Sequence, residues 1–197
     1  MRERDTRILH DLARFRCLSR DDIIYLHFAG LVKKVSRANE VLRRLADRGL
    51  VKVDRTTSPY LYFPGECNIN MGSQKIAHYR GIFSIYKDLQ RNGLLERFEV
   101  EPKLGPKGTV EPDIFCIWKR APFFIEVQLS HQYDGNYMLK KLARYDAYKY
   151  SRAWEHLDWQ RVEKKYFPNI WIIGDKKYNG VGVLQTRTVA DLLQTSR

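Results

Sequence analysis

The chain has 197 residues with 44% hydrophobic content, enough to bury one large core or two small ones. Lys and Arg total 35 against 23 Asp and Glu, a formal charge of +12, which favours a polyanionic partner such as nucleic acid over an acidic small molecule. Cys17, Cys67 and Cys116 are odd in number and far apart, which argues against a disulfide frame or a thiolate zinc site. The charged start MRERDTRILHDLARF lacks a secretory core and no stretch approaches a membrane span, so a soluble cytoplasmic protein is expected.

Ile8, Leu9, Leu12, Ala13 and Phe15 recur at near-helical spacing among charged residues and predict an amphipathic first helix. Ser19, followed by Asp22, announces a second helix with Ile23, Ile24, Leu26 and Phe28 on its apolar side, and Gly30 breaks it. Ser36 is the expected cap of a third helix, with Ala38, Val41, Leu42 and Leu45 as its stripe and Gly49 as its left-handed C-cap. Two strand-like runs, LVKV and YLYF, separated by DRTTSP, predict a hairpin. Three helices followed by a hairpin describe a winged helix-turn-helix over residues 1–66. In such a domain Ser36, Arg37 and Asn39 are early enough on the third helix to approach base edges. Arg43 and Arg44 reach phosphates, and Lys52 and Arg55 belong to the wing. The same charges also serve to solvate a helix face, and winged helices also recruit proteins.

The turn-rich stretch PGECNINMGS marks a boundary near residue 67, and both sides of it carry net positive charge. A helix is predicted from Gln74 to about Arg91, ended by Asn92-Gly93. Three short β-rich runs follow, FEVEP, VEPDIFCIW and APFFIEVQL. Next comes a long helix with Leu139, Leu142, Tyr145, Ala147 and Tyr148 on its buried side, and then a buried strand, NIWIIG. Helix, three strands, helix, strand is the order of an α/β core with a mixed sheet, here over residues 67–197.

One spacing within this order carries chemistry. Pro112-Asp113 opens the second of the three strands and Glu126-Val127-Gln128 lies on the third, so alternation puts Glu126 and Gln128 on one face and a hairpin brings Asp113 beside them. Two carboxylates suit Mg²⁺ or Mn²⁺, which would polarise a phosphodiester and activate a water. Glu111 alternates with Asp113, and Glu101 is a weaker candidate beside Pro102. A structural acid at a strand end and a turn residue after proline are the plainer roles for Glu126 and Asp113.

The Pro-Asp and acid-x-residue pair resembles the signature of the PD-(D/E)xK nuclease superfamily, over roughly residues 74 to 175. With the winged helix in front, the whole chain is similar to the replication-relaxation proteins of plasmids and mobile elements. The resemblance implies a winged helix followed by a restriction-endonuclease-like α/β domain. It further implies a DNA partner and metal-dependent cleavage by Asp113, Glu126 and Gln128, with Asp113 and Glu126 holding the metal. The departure is Gln128 where the family has lysine, because a neutral amide stabilises developing negative charge less than an ammonium. The resemblance places the next helix, with Lys140, Lys141, Tyr145 and Tyr148, beside the site, where Lys140 or Lys141 is the expected source of the missing charge and both lysines are expected DNA contacts. A DNA-binding replication or transcription factor that keeps the nuclease fold as a scaffold is the alternative, and a homodimer is expected if both strands are cut. His78, His131 and Gln132 are further residues able to approach the site. Tyr133, Tyr137, Tyr145, Tyr148, Tyr150, Trp154 and Trp159 suit either base stacking or core packing.

Overall fold

The computed structural model describes residues 1–70, 73–128, 135–179 and 182–194. It is a mixed α/β protein with six α-helices, a three-stranded sheet and a five-stranded mixed sheet among the described residues. No helix among them is long and apolar enough to cross a membrane. The chain divides into two compact units, Met1–Phe83 and Ser84–Arg197. This division falls inside a helix, α4 (Gln74–Asn92), and not at the turn-rich stretch before it. Packing explains the difference, because Phe83 sits edge-on against Phe15, with ring centroids 4.9 Å apart, and the N-terminal part of α4 thereby joins the first core.

In the first unit the order is α1 (Glu3–Phe15), β1 (Leu18–Ser19), α2 (Arg20–His27), α3 (Lys34–Asp47), β2 (Val51–Asp54) and β3 (Leu61–Pro64). The three predicted helices and the hairpin are all present. Ser19 caps α2 as expected, its hydroxyl accepting from the Asp22 N–H at 3.1 Å while the Asp22 carboxylate accepts from the Ser19 N–H at 3.0 Å. Gly49 follows α3 with φ of +67°, the left-handed geometry that its position required. Ser36 does not cap α3, which begins two residues earlier, the Arg37 N–H already bonding the Lys33 carbonyl at 3.0 Å. A two-residue strand that the sequence did not announce, β1, pairs with β3 and makes the sheet order β1-β3-β2.

The core of this unit is built by Ile8, Leu12, Phe15, Ile23, Leu42, Leu45 and Phe63, all essentially inaccessible. Each large side chain removed from water in this way contributes about 1.5–3 kcal/mol. One acid is buried with them. Asp5 is held by Arg44 of α3, whose Nη2 lies 2.7 Å from its Oδ1, and it also accepts from the Arg2 N–H at 3.3 Å at the start of α1. Arg44 therefore joins α1 to α3, with a third of its side chain exposed.

In the second unit the C-terminal part of α4 is followed by β4 (Leu95–Val100), β5 (Ile114–Trp118), β6 (Ala121–Gln128), α5 (Gly135–Ser151), β7 (Asn169–Gly174), β8 (Leu184–Thr186) and α6 (Val189–Gln194). The sheet order is β4-β5-β6-β7-β8, antiparallel from β4 to β6 and parallel from β6 to β8. A tight turn joins β5 to β6 through Lys119 and Arg120, both at positive φ (50° and 66°), the twist that a two-residue hairpin demands. Strand alternation then sorts the side chains. Trp118, Phe123 and Trp171 pack on one face, where the Trp118 indole donates to the Leu89 carbonyl of α4 at 2.9 Å. Phe115 and Phe124 lie on the other, beneath α5.

The inward side of α5 differs from the predicted stripe. Met138, Lys141, Leu142, Tyr145 and Tyr148 are buried, whereas Leu139 is half exposed and Ala147 exposed. The buried set follows helical spacing with a lysine in it. Cys17 and Cys116 are buried free thiols; burial pushes the Cys17 pKa up to about 12 and that of Cys116 higher still, so both are held protonated. Replacing Arg44 by Ala strands the buried Asp5 carboxylate, and denaturant unfolding is expected to show a loss of about 1–3 kcal/mol with an unchanged m-value.

Candidate active site

The β5–β6 hairpin pairs Ile114 with Ile125, so Asp113, the residue just before β5, stands opposite Glu126. Its position is fixed twice: the Asp113 carbonyl accepts from the Glu101 N–H at 2.9 Å, and its Oδ2 accepts from the Val127 N–H at 2.7 Å. The second bond ties the Asp113 side chain to the strand that carries Glu126. Glu126 and Gln128 share a face of β6 with Phe124, as alternation requires, and that face is covered by α5.

Two residues of α5 one turn apart converge on Glu126. The Lys141 ammonium binds its Oε2 and lies 3.4 Å from Asp113 Oδ1, while the Tyr145 hydroxyl donates to its Oε1 at 2.5 Å. Relative exposure falls to 1% at Glu126, 6% at Gln128 and 9% at Lys141, whereas the Asp113 side chain keeps 18%. Access to the cluster is thus from the Asp113 side.

Burial, with the Asp113 carboxylate second, pushes the Glu126 pKa up to about 8 against the pull of Lys141 and Tyr145. Burial also works against the Lys141 ammonium, but Asp113 and Glu126 outweigh it and hold its pKa above the usual lysine range. The groups form one coupled cluster in which the Lys141 ammonium is held charged and the Glu126 carboxyl is pushed toward its neutral form. The Tyr145 hydroxyl, raised first by burial and then by Glu126, stays a neutral donor.

Gln128 ends β6 opposite Gly174. A Cβ at Gly174 would lie 2.2 Å from the Gln128 carbonyl oxygen, so only glycine permits this approach of the two strands. The Gln128 side chain accepts from the Tyr178 hydroxyl at 2.7 Å.

Asp113, Glu126 and Lys141 thus converge, and Gln128 lies on the same strand face as Glu126. Lys141 is buried in ion pairs with both acids, while Lys140 is exposed. Glu111 precedes β5, is exposed and pairs with Lys103 at 2.5 Å, so Lys141 acts on it only through space and secondarily to Lys103. His78 belongs to the first unit. His131, Gln132 and Tyr133 lie outside the described residues. Tyr145, Tyr148 and Trp154 are core residues, Trp159 packs against Phe115 with centroids 5.0 Å apart, and Tyr137 and Tyr150 are exposed. The resemblance places Tyr145 beside the site without its bond to Glu126, and nothing in the sequence singles out Tyr178. The first could have been found from its spacing four residues after Lys141; the second has no local signal.

No group of three or more His, Cys, Asp and Glu side chains able to hold a metal is present among the described residues. Two carboxylates nevertheless suffice for a divalent ion that keeps most of its waters. The donors fit: both are hard oxygens, and with Glu126 ionised one ammonium faces two carboxylates, so negative charge then remains for a cation to meet.

In the first unit Ser36, Arg37, Asn39, Arg43 and Arg55 are exposed. Arg37 pairs with Glu40 at 3.2 Å and Arg43 with Asp47 at 3.8 Å, exposed pairs worth about 0–1 kcal/mol each that other anions can displace. The Lys52 ammonium donates to the Cys67 carbonyl at 2.6 Å. Asn39, Arg43 and Arg55 line, with Arg20 and Tyr60, a groove of about 530 Å³ between α3 and the hairpin. No family model, curated protein or solved structure matches the chain.

The raised Glu126 pKa has a stability consequence. A carboxyl whose folded-state pKa lies above its unfolded value favours folding most when both states are protonated, below about 4.5, and loses that contribution as pH rises through about 8. In chelator-containing buffer, the melting temperature of the natural protein relative to Glu126→Gln is expected to fall steadily across that window.

Proposed function

We propose that this chain is a DNA-binding protein whose first unit is a winged helix and whose second is a metal-dependent nuclease domain of the PD-(D/E)xK kind, the architecture of the replication-relaxation proteins. The observation that carries the reading is the meeting of Lys141 with Asp113 and Glu126. Those are the two acids and the cation that phosphodiester hydrolysis uses, with the lysine supplied from α5 because β6 carries Gln128 in its place.

Asp113 and Glu126 would hold Mg²⁺ or Mn²⁺, which supplies Lewis acidity to the phosphodiester and to the attacking water. Lys141 offsets negative charge that develops on the phosphate, worth more in a site closed to water than at a surface. Tyr145 holds one Glu126 oxygen, leaving the carboxylate a single orientation. In the first unit Arg37 and Asn39 face outward near the start of α3, where base edges would lie. Arg43 and Arg55, beside the groove at the hairpin, are placed to meet phosphates.

A second reading, a DNA-binding replication or transcription factor that does not cut, is favoured by the near-complete burial of Glu126 and the engagement of both its oxygens. The two separate in one assay. On the nuclease reading, purified protein nicks or cuts plasmid DNA with Mg²⁺ or Mn²⁺, and Asp113→Ala, Glu126→Gln and Lys141→Met each lower the rate by at least about a hundredfold. Cleavage by all three variants at the natural rate, or none by any protein, rejects it. DNA affinity is read separately by fluorescence anisotropy. Arg37→Ala with Arg43→Ala is expected to weaken binding and, through the phosphate contact of Arg43, flatten its salt dependence by about one in the log–log slope.

A further inference from the structure

Gln128 has two ends, and among the described residues one of them has a partner. The carboxamide Oε1 accepts from the Tyr178 hydroxyl at 2.7 Å, and both side chains are largely buried, at 6% and 7% exposure. The end that Tyr178 does not use is the Nε2 amide, a pair of N–H donors.

Tyr178 is itself held at the backbone. Its N–H donates to the Gln185 Oε1 at 2.7 Å, and its carbonyl accepts from the Gln185 Nε2 at 2.9 Å. Gln185 lies on β8 opposite Ile172 of β7, so the sheet fixes the side chain that fixes the Tyr178 backbone. Tyr178 also packs in the same core cluster as Phe124 and Tyr145. The hydroxyl is therefore aimed at the end of β6 by a chain of contacts whose last member is Gln128.

We infer that Tyr178 is a positioning residue that orients Gln128 as a neutral hydrogen-bond donor to a phosphate oxygen of the DNA backbone, so that two residues share the work of the missing strand lysine. Lys141 brings the charge from α5, and Gln128 brings the donor from the strand. This inference rests on the nuclease reading above. It adds that glutamine at this place is a working member of the site, and that its orientation depends on a residue 50 positions away.

Single-turnover and steady-state cleavage of plasmid DNA with Mg²⁺ test it. Tyr178→Phe keeps the ring and its packing while removing the donor to Oε1; kcat is expected to fall about tenfold, with KM for DNA within about twofold and the melting temperature nearly unchanged. Gln128→Ala is expected to lose at least as much, and the double variant no more than Gln128→Ala alone, because Tyr178 acts only through Gln128. Gln128→Glu, isosteric but without N–H donors, is expected not to retain activity. Full kcat in Tyr178→Phe, or losses that multiply in the double variant, would overturn the positioning role while leaving the nuclease reading intact. A natural protein that fails to cut DNA removes that reading and this inference together, and the two failures are distinguished by the natural protein alone.

Discussion

A carboxylate placed in the interior of a sheet is the constraint around which the second unit is arranged. Glu126 sits between Ile125 and Val127 on β6, and an ionised carboxyl in such a place costs several kcal/mol unless it is paired. Its two partners, Lys141 and Tyr145, both come from α5, and Asp113, at the entrance to β5, shares Lys141 while repelling the ionised carboxylate. Each demands something of the fold. The α5 helix must present residues 141 and 145 together to β6, the hairpin must keep the register that sets Asp113 opposite Glu126, and the Val127 N–H must reach Asp113. A slip of one residue in that hairpin would turn Glu126 to the face covered by α4 and leave Lys141 facing apolar side chains.

The same device recurs in the first unit on a smaller scale. Asp5 is buried at the start of α1 and answered by Arg44 of α3, so a basic side chain on one helix fixes its angle to another. The cost of leaving either acid alone exceeds what the pair itself contributes, which makes these pairs more decisive for geometry than for net stability. Where the pairs are exposed, as at Arg37 with Glu40 and Arg43 with Asp47, the guanidinium groups remain exchangeable. Charge in this protein is thus divided between buried pairs that set geometry and surface groups available to a polyanion.

Much of the local order was legible in the residues. Ser19 with Asp22, Gly49 and the run NIWIIG each act within a few positions of themselves, and the elements formed where they predicted. Alternation along β6 was enough to put Glu126 and Gln128 on one face, and the spacing from Asp113 to Glu126 was that of a hairpin. The inward stripe of α5 was misread because Lys141 is polar, and periodicity counts a lysine as an exposed position until a buried acid is known to face it. The strands β1 and β8 are two and three residues long, too short for a pattern, and exist because β3 and β7 offer them an edge. Ser36 met the chemistry of a cap, but the helix begins at Lys34 and includes it.

What the sequence determined by itself is the set of elements, the net positive charge on both parts of the chain and the presence of two acids at hairpin spacing, since all of these depend on neighbours in the chain. Only the tertiary structure decided which lysine faces those acids, that Tyr145 holds one of them, and that Tyr178 holds Gln128. Helix phase against a sheet, and a hydrogen bond between side chains 50 residues apart, arise from packing and leave no periodic trace in the order of residues.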